Sequence, residues 1–171
     1  MKMRTLLPLL LVVLAAVGCA TCPPRVTSMT HGSTAIDEVL DGFHAAAAAS
    51  DEERYFGFFT EGGVFLGTDA TERWDVAAFR AYAHPHFAAG RGWVMRAVRR
   101  DVVVRGDVAW FDEDLDTRNL GPARGSGVLV READGAWRIA QYNLAITVPN
   151  ERFGEVRALL AGSAPATPSE P

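Results

Sequence analysis

From Trp93 to Thr147 the chain follows a period of two, and no other stretch constrains the fold as much. In a pleated strand successive side chains point to opposite faces, so this alternation marks strands with one face buried. Four segments carry it: residues 93–104, 107–118, 126–133 and 136–147. Arg105-Gly106-Asp107 and Ala133-Asp134-Gly135 are hairpin turns, and Asn119–Gly125 is a longer loop. Consecutive strands joined by tight turns pair antiparallel. One face of such a sheet must be covered, and only the residues before Trp93 are numerous enough to cover it.

Those residues read as helices. Thr34 with Asp37 is an N-cap signal, and Ile36, Val39, Leu40 and Phe43 recur at helical spacing, predicting a helix over 35–49. Ser50-Asp51-Glu52-Glu53 has the form of a capping box and opens a second short helix with Tyr55, Phe58 and Phe59 inward, stopped by Gly62-Gly63. Residues 64–67 form a short strand and 68–71 a turn. Asp75 caps a third helix running to about Phe87, with Phe79 and Tyr82 on its buried side and Pro85 bending or shortening its end. A last helix covers about 151–160. The expected fold is α+β: a curved antiparallel sheet with three N-terminal helices, forming a cone-shaped hollow suited to a ligand.

The domain occupies residues 34–161. Ahead of it, Met1–Arg4 is positively charged and 5–17 is apolar, a core too short for a normal membrane span but suited to a signal peptide. It ends in Ala16-Val17-Gly18-Cys19, which resembles the bacterial lipobox, although Ala16 stands where leucine is more usual. That resemblance implies a lipoprotein signal peptide over 1–18 and a lipidated Cys19 opening a flexible tether over 19–33. Several acyl chains give stable anchoring where one binds only marginally. Ala20 after the cysteine implies the outer membrane, facing the periplasm. Cys19 and Cys22 lack the strand–helix setting of a redox pair, and with no other cysteine there is no disulfide framework. Residues 162–171 are a tail rich in Pro, Ser, Ala and Thr.

The whole chain carries a formal charge of −4, and loss of Lys2 and Arg4 with the leader takes it to −6. An acidic chain repels phosphate backbones, which excludes nucleic acid as a partner. Arg96, Arg99 and Arg100 lie among strand residues and read as a solvated face.

Phe65-Leu66-Gly67-Thr68-Asp69 followed by Glu72-Arg73-Trp74, the strand Asp107–Phe111, and Trp137-Arg138-Ile139 through Gln141–Leu144 with Pro149-Asn150 resemble the SnoaL-like branch of the nuclear transport factor 2-like superfamily. The resemblance spans about residues 35–155 and implies a cystatin-like cone. Members often carry a histidine where this chain has Asn143, and asparagine does not titrate in the working range. The branch holds isomerases, cyclases, dehydratases, non-catalytic ligand sites and dimerisation modules, so fold alone names no activity.

Alternation places Trp137, Ile139, Gln141 and Asn143 on one face of the last strand, and Trp110, Asp112 and Asp114 on one face of the middle strand. The pocket candidates are therefore Trp110, Asp112, Gln141 and Asn143. Asp69 and Trp74 join them from the turn before the third helix, which the resemblance sets near the mouth. Asp112 beside Trp110 is the carboxylate with a route to acid–base work. Asp69 reads equally as a turn residue, Tyr55 as packing, and His44 as facing either the pocket or solvent. His84-Pro85-His86 is too few ligands for a metal site, and no cofactor motif is present. Three functions stay open: an envelope module binding a small apolar or amphipathic molecule, an isomerase-, cyclase- or dehydratase-type enzyme, and a homodimerising domain that uses the sheet face around Tyr142, Leu144 and Ile146.

Overall fold

The computed structural model describes residues 30–31 and 34–162. The expected leader, Cys19, the tail from 163 and the rest of the tether lie outside the described residues. In chain order the elements are β1 (Thr30–His31), α1 (Thr34–Ala48), α2 (Glu52–Gly57), β2 (Phe59–Leu66), β3 (Arg73–Asp75), α3 (Val76–Ala88), β4 (Met95–Arg105), β5 (Val108–Thr117), β6 (Gly121–Arg131) and β7 (Trp137–Ile146). A 3-10 turn (Asn150–Arg152) and α4 (Phe153–Gly162) follow. One seven-stranded sheet has the order β1-β4-β5-β6-β7-β2-β3. All neighbours are antiparallel except β2 with β7, which run parallel.

The fold is the expected α+β one, and its boundaries differ where turn chemistry was misread. Asp51, not Ser50, caps α2, accepting the Arg54 N–H at 3.1 Å. Ser50 takes a left-handed backbone (φ 55°) and its Oγ accepts the Gly92 N–H at 2.9 Å. The helix ends at Gly57, and Phe59 through Gly62-Gly63 belong to β2. The glycines were read as a stop signal, yet β2 absorbs them at an irregularity in its pairing with β7. Likewise β6 starts at Gly121, so the loop after β5 is short. Asp75 caps α3 as expected, accepting the Ala78 N–H at 2.8 Å, and Pro85 is accommodated inside the helix. Tyr82 faces outward from α3 and is exposed, contrary to expectation.

The core lies between the helices and the concave face of the sheet. It joins Ile36, Leu40 and Phe43 of α1, Tyr55 and Phe56 of α2 and Phe79 of α3 to Phe111, Leu129, Ile139 and Tyr142. Truncating one of these buried phenylalanines to alanine costs about 3–5 kcal/mol.

Two one-residue bulges decide which side chains face this core. On β4, Ala97 pairs with Leu115 and Arg99 with Asp114, which leaves Val98 as the extra residue. On β7, Ile139 pairs with Leu129 and Gln141 with Val128, which leaves Ala140. A bulge inverts the alternation beyond it. Arg100 therefore turns inward, contrary to the solvated face expected of it. Tyr142 and Leu144 also turn inward, whereas Gln141 and Asn143 turn out.

Candidate functional site

Two features occupy the concave side, and they do not merge. The first is a polar cluster around Glu113, which is fully buried. Its Oε1 accepts the Tyr142 hydroxyl at 2.9 Å and lies 2.7 Å from His44 Nε2. An ionised carboxylate only accepts, so the proton of the His44 contact sits on Nε2. Its Oε2 accepts Arg100 Nε at 2.9 Å. Arg100 Nη2 lies 2.8 Å from the same oxygen, close enough for an ion pair but off the angle of a hydrogen bond. Arg100 Nη1 reaches back to α1, 3.2 Å from Asp37 Oδ1 and 3.0 Å from Asp41 Oδ1.

Burial alone would push the Glu113 carboxyl up. The hydrogen bond and charge of His44, with those of Arg100, outweigh it and hold the carboxyl below its ordinary value. Burial, and then the adjacent Glu113 charge, push the Tyr142 phenol well above its usual range. A Cβ at Gly125 would collide with Tyr142 Oη and lie 2.8 Å from Glu113 Oε1, so only glycine leaves room for this bond. The cluster is saturated with donors and is not part of the cavity wall, so its chemistry is cohesion.

The second feature is a cavity of 300 Å³ at the open end of the cone. The turn between β2 and β3 and the start of α3 form one wall, and Trp93–Met95 with the β5–β6 loop form the other. The inner wall is aromatic. Phe65 and Phe79 stack at 4.0 Å and 17°, Trp74 lies parallel to Phe79 at 5.6 Å and 7°, and Tyr82 covers Trp74 at 4.6 Å and 25°. Trp93 closes the far side, parallel to Phe79 at 6.0 Å and 16°. Its Nε1 donates to Tyr55 Oη at 3.3 Å, which fixes the indole; Tyr55 itself is core packing.

Polar groups ring the mouth. In the β2–β3 turn the Gly67 N–H donates to the Glu72 carbonyl at 2.9 Å, and the Asp69 N–H donates to Glu72 Oε2 at 3.1 Å. A Cβ at Gly67 would collide with that carboxylate, so the glycine is what seats Glu72 there. Opposite, Thr117 Oγ1 donates to the Gly121 carbonyl at 2.8 Å and accepts the Leu120 N–H at 3.0 Å. This closed loop presents Arg118, Asn119 and Leu120 to the cavity.

Of the six pocket candidates, Trp74 alone lines the cavity. Asp69 is a turn residue: Oδ1 accepts the Thr71 hydroxyl at 2.6 Å and its N–H at 2.8 Å, and these bonds hold its carboxyl below the usual range. Trp110, Asp112, Gln141 and Asn143 all sit on the convex face. Trp110 is 40% exposed. Asp112 pairs with Arg99 at 3.2 Å, within a ladder that includes Asp101 and Asp114. Gln141 is exposed and Asn143 Nδ2 donates to Ser126 Oγ at 3.4 Å. For Gln141 and Asn143 the Ala140 bulge is the reason. For Trp110 and Asp112 the alternation holds, but the buried side of β5 is the other one, formed by Ala109, Phe111 and Leu115. That pattern was the available signal for Glu113. His44, left open between pocket and solvent, is buried against Glu113. His84 Nδ1 pairs with Glu52 at 2.8 Å, and among the described residues no group of three or more His, Cys, Asp or Glu is placed to hold a metal ion.

A bent sheet wrapped by three helices around an aromatic hollow defines the cystatin-like, nuclear transport factor 2-like class of α+β domains. Within that class the chain belongs to the SnoaL-like domain family, whose match covers residues 36–149. Among solved structures it is similar to an NTF2-like protein of unknown function from Pseudomonas putida KT2440, with 13% identity, 68% of this chain and 87% of that chain covered, and a TM-score of 0.58. It is also similar to Rv3472 of Mycobacterium tuberculosis, a protein of unknown function, at 25% identity, 68% and 72% coverage and a TM-score of 0.58. A third, described as a putative ketosteroid isomerase from Shewanella frigidimarina NCIMB 400, has 18% identity, 66% and 96% coverage and a TM-score of 0.53. No curated protein matches the chain in sequence.

Proposed function

We propose that this protein is a cell-envelope lipoprotein whose domain captures a small, largely apolar molecule in the aromatic cavity. The observation that carries the reading is the cavity itself, 300 Å³ walled by aromatic and aliphatic side chains with polar groups at its mouth. Ligand sites are typically built this way, apolar walls supplying affinity and a few polar groups supplying orientation. Binding is favoured over turnover because the carboxylate best insulated from water, Glu113, is consumed by Arg100, His44 and Tyr142. Glu72 lines the cavity and keeps a second reading in view, acid–base catalysis of the isomerase kind ascribed to the Shewanella protein.

Anchoring through Cys19 at the outer membrane follows from the lipobox-like Ala16–Cys19 and Ala20, with a tether long enough to hold the domain clear of the bilayer. Two copies pair through the convex sheet face, where Val108 and Trp110 are exposed; Ile146 shares the opposite side of β7 with Tyr142 and Leu144. Tyr142 and Leu144 are buried and take no part in that surface.

Native mass spectrometry of the gently purified protein tests the capture reading. The wild type is expected to retain a small-molecule mass, and Trp74→Ala to lose it while keeping an unchanged circular-dichroism spectrum. A folded Trp74→Ala protein that holds the same mass at the same occupancy would count against the cavity as the site.

A further inference from the structure

We infer that the captured molecule is a flat one- or two-ring aromatic compound bearing an acidic group, with the acid held by Arg118. This rests on the capture reading above and goes further by naming the chemistry of the ligand. Three observations converge on it.

The first is shape. The rings of Phe65, Trp74, Phe79 and Trp93 lie within 17° of parallel where they stack, so the cavity offers flat faces in one orientation. Offset parallel stacking is a preferred geometry between aromatic rings, and a planar guest continues the pile where a bulky aliphatic one would splay it. The second is size. At 300 Å³ the space is at the small end of ligand cavities, room for one or two fused rings and not for a long acyl chain.

The third is charge. Arg118 lines the mouth and has no ion-pair partner among the described residues. Arginines on the adjoining strands are neutralised: Arg96 of β4 pairs with Asp116 at 2.8 Å and Arg124 of β6 with Asp114 at 3.6 Å. Across the mouth, the Glu72 carboxylate is turned into the β2–β3 turn by the Asp69 N–H and by contact over Gly67. The mouth thus has one engaged anion and one unengaged guanidinium. A guanidinium takes a carboxylate through two parallel hydrogen bonds, which orients a planar acid as well as binding it. Asn119 beside it adds an amide donor.

Calorimetric titration of the purified full chain with three probes of one shape separates the possibilities: 2-naphthoate, 2-naphthalenemethanol and 2-naphthylmethylamine. The expected order has the acid bound about tenfold more tightly than the alcohol, with the amine weakest. Arg118→Gln is expected to bring the acid down to the alcohol's affinity and leave the alcohol unchanged, and Arg118→Lys to keep part of the preference. If acid and alcohol bind alike, if the amine binds best, or if Arg118→Gln leaves the preference intact, the acidic-group inference fails while the capture reading stands. If none of the three binds, both fail together.

Discussion

Three side chains meet at Glu113 of β5, from α1, β4 and β7, and the carboxylate they share has no contact with solvent. A buried charge is tolerable only when its partners replace the water it lost, and removing one partner from such a pair costs about 3–5 kcal/mol. The pH at which this matters follows from the direction of the shift. The folded-state carboxyl lies below its ordinary value of 4.5. The stabilisation is therefore complete above about pH 4.5 and is lost as pH falls through the lowered folded value, because the unfolded chain then binds the proton more readily. Glu113→Gln is expected to lower the urea midpoint sharply at pH 7, leaving Arg100 facing an amide. The gap between variant and wild type should narrow as pH drops from 6 to 3. A gap that stays constant over that range would mean that folding leaves the Glu113 carboxyl unshifted, and one that widens toward pH 3 would mean that it is neutral in the folded protein. Nothing in the run Asp112-Glu113-Asp114 distinguishes the middle acid by itself. What marks it is its place between Phe111 and Leu115, on the side of the strand that must face the helices.

At the level of the element, the sheet shows why some of the site was legible and some was not. Hairpin turns at Gly106 and Gly135, both with positive φ, could be read directly because few residues other than glycine suit them. Trp74 is set near the mouth by the family resemblance of the Phe65–Trp74 stretch, and it lines the cavity. The places of Gln141 and Asn143 were not legible, because an extra residue at Ala140 has no local signature: it is set by pairing with β6 and β2, far away in sequence. Arg118 and Leu120 reach the cavity through the Thr117 bonds that tighten the β5–β6 loop, made to residues only three and four positions on. The outward side of β5, which keeps Trp110 out of the cavity, gives it another use. It stands 40% exposed on the convex face, on the same side of β5 as Val108, which is 42% exposed. If two copies pair there, Trp110→Asp places a charge in an apolar contact and should yield a monomer by sedimentation velocity, with the aromatic cavity still binding 2-naphthalenemethanol. An unchanged sedimentation coefficient, with a wild type that sediments as a dimer, would move the contact elsewhere.

For the whole molecule, the proposal joins a small aromatic cavity to a lipid anchor. Among the described residues no helix is long and apolar enough to cross a bilayer; the proposed attachment rests on the residues ahead of the domain. One acyl chain holds a protein only marginally, whereas a lipidated N-terminal cysteine carries several and keeps it in place. A tethered domain then meets ligand at a fixed surface, its own concentration set by the membrane and not by dilution in the surrounding space. The proposal puts the lipid on the thiol of Cys19, because a thioether requires sulfur and Cys22 lies outside the lipobox-like Ala16–Cys19 pattern. Cys19→Ser should leave the chain without its lipid. The expected result is release of most of the protein from the membrane fraction, together with the mass of an unmodified and unprocessed chain, while Cys22→Ser fractionates as the wild type does. Since neither residue belongs to the described domain, both variants should keep the wild-type affinity for 2-naphthalenemethanol. Membrane association and intact mass that are the same in Cys19→Ser as in wild type would remove the lipid anchor, and with it the argument that the cavity works at a membrane surface, without touching the cavity's own chemistry.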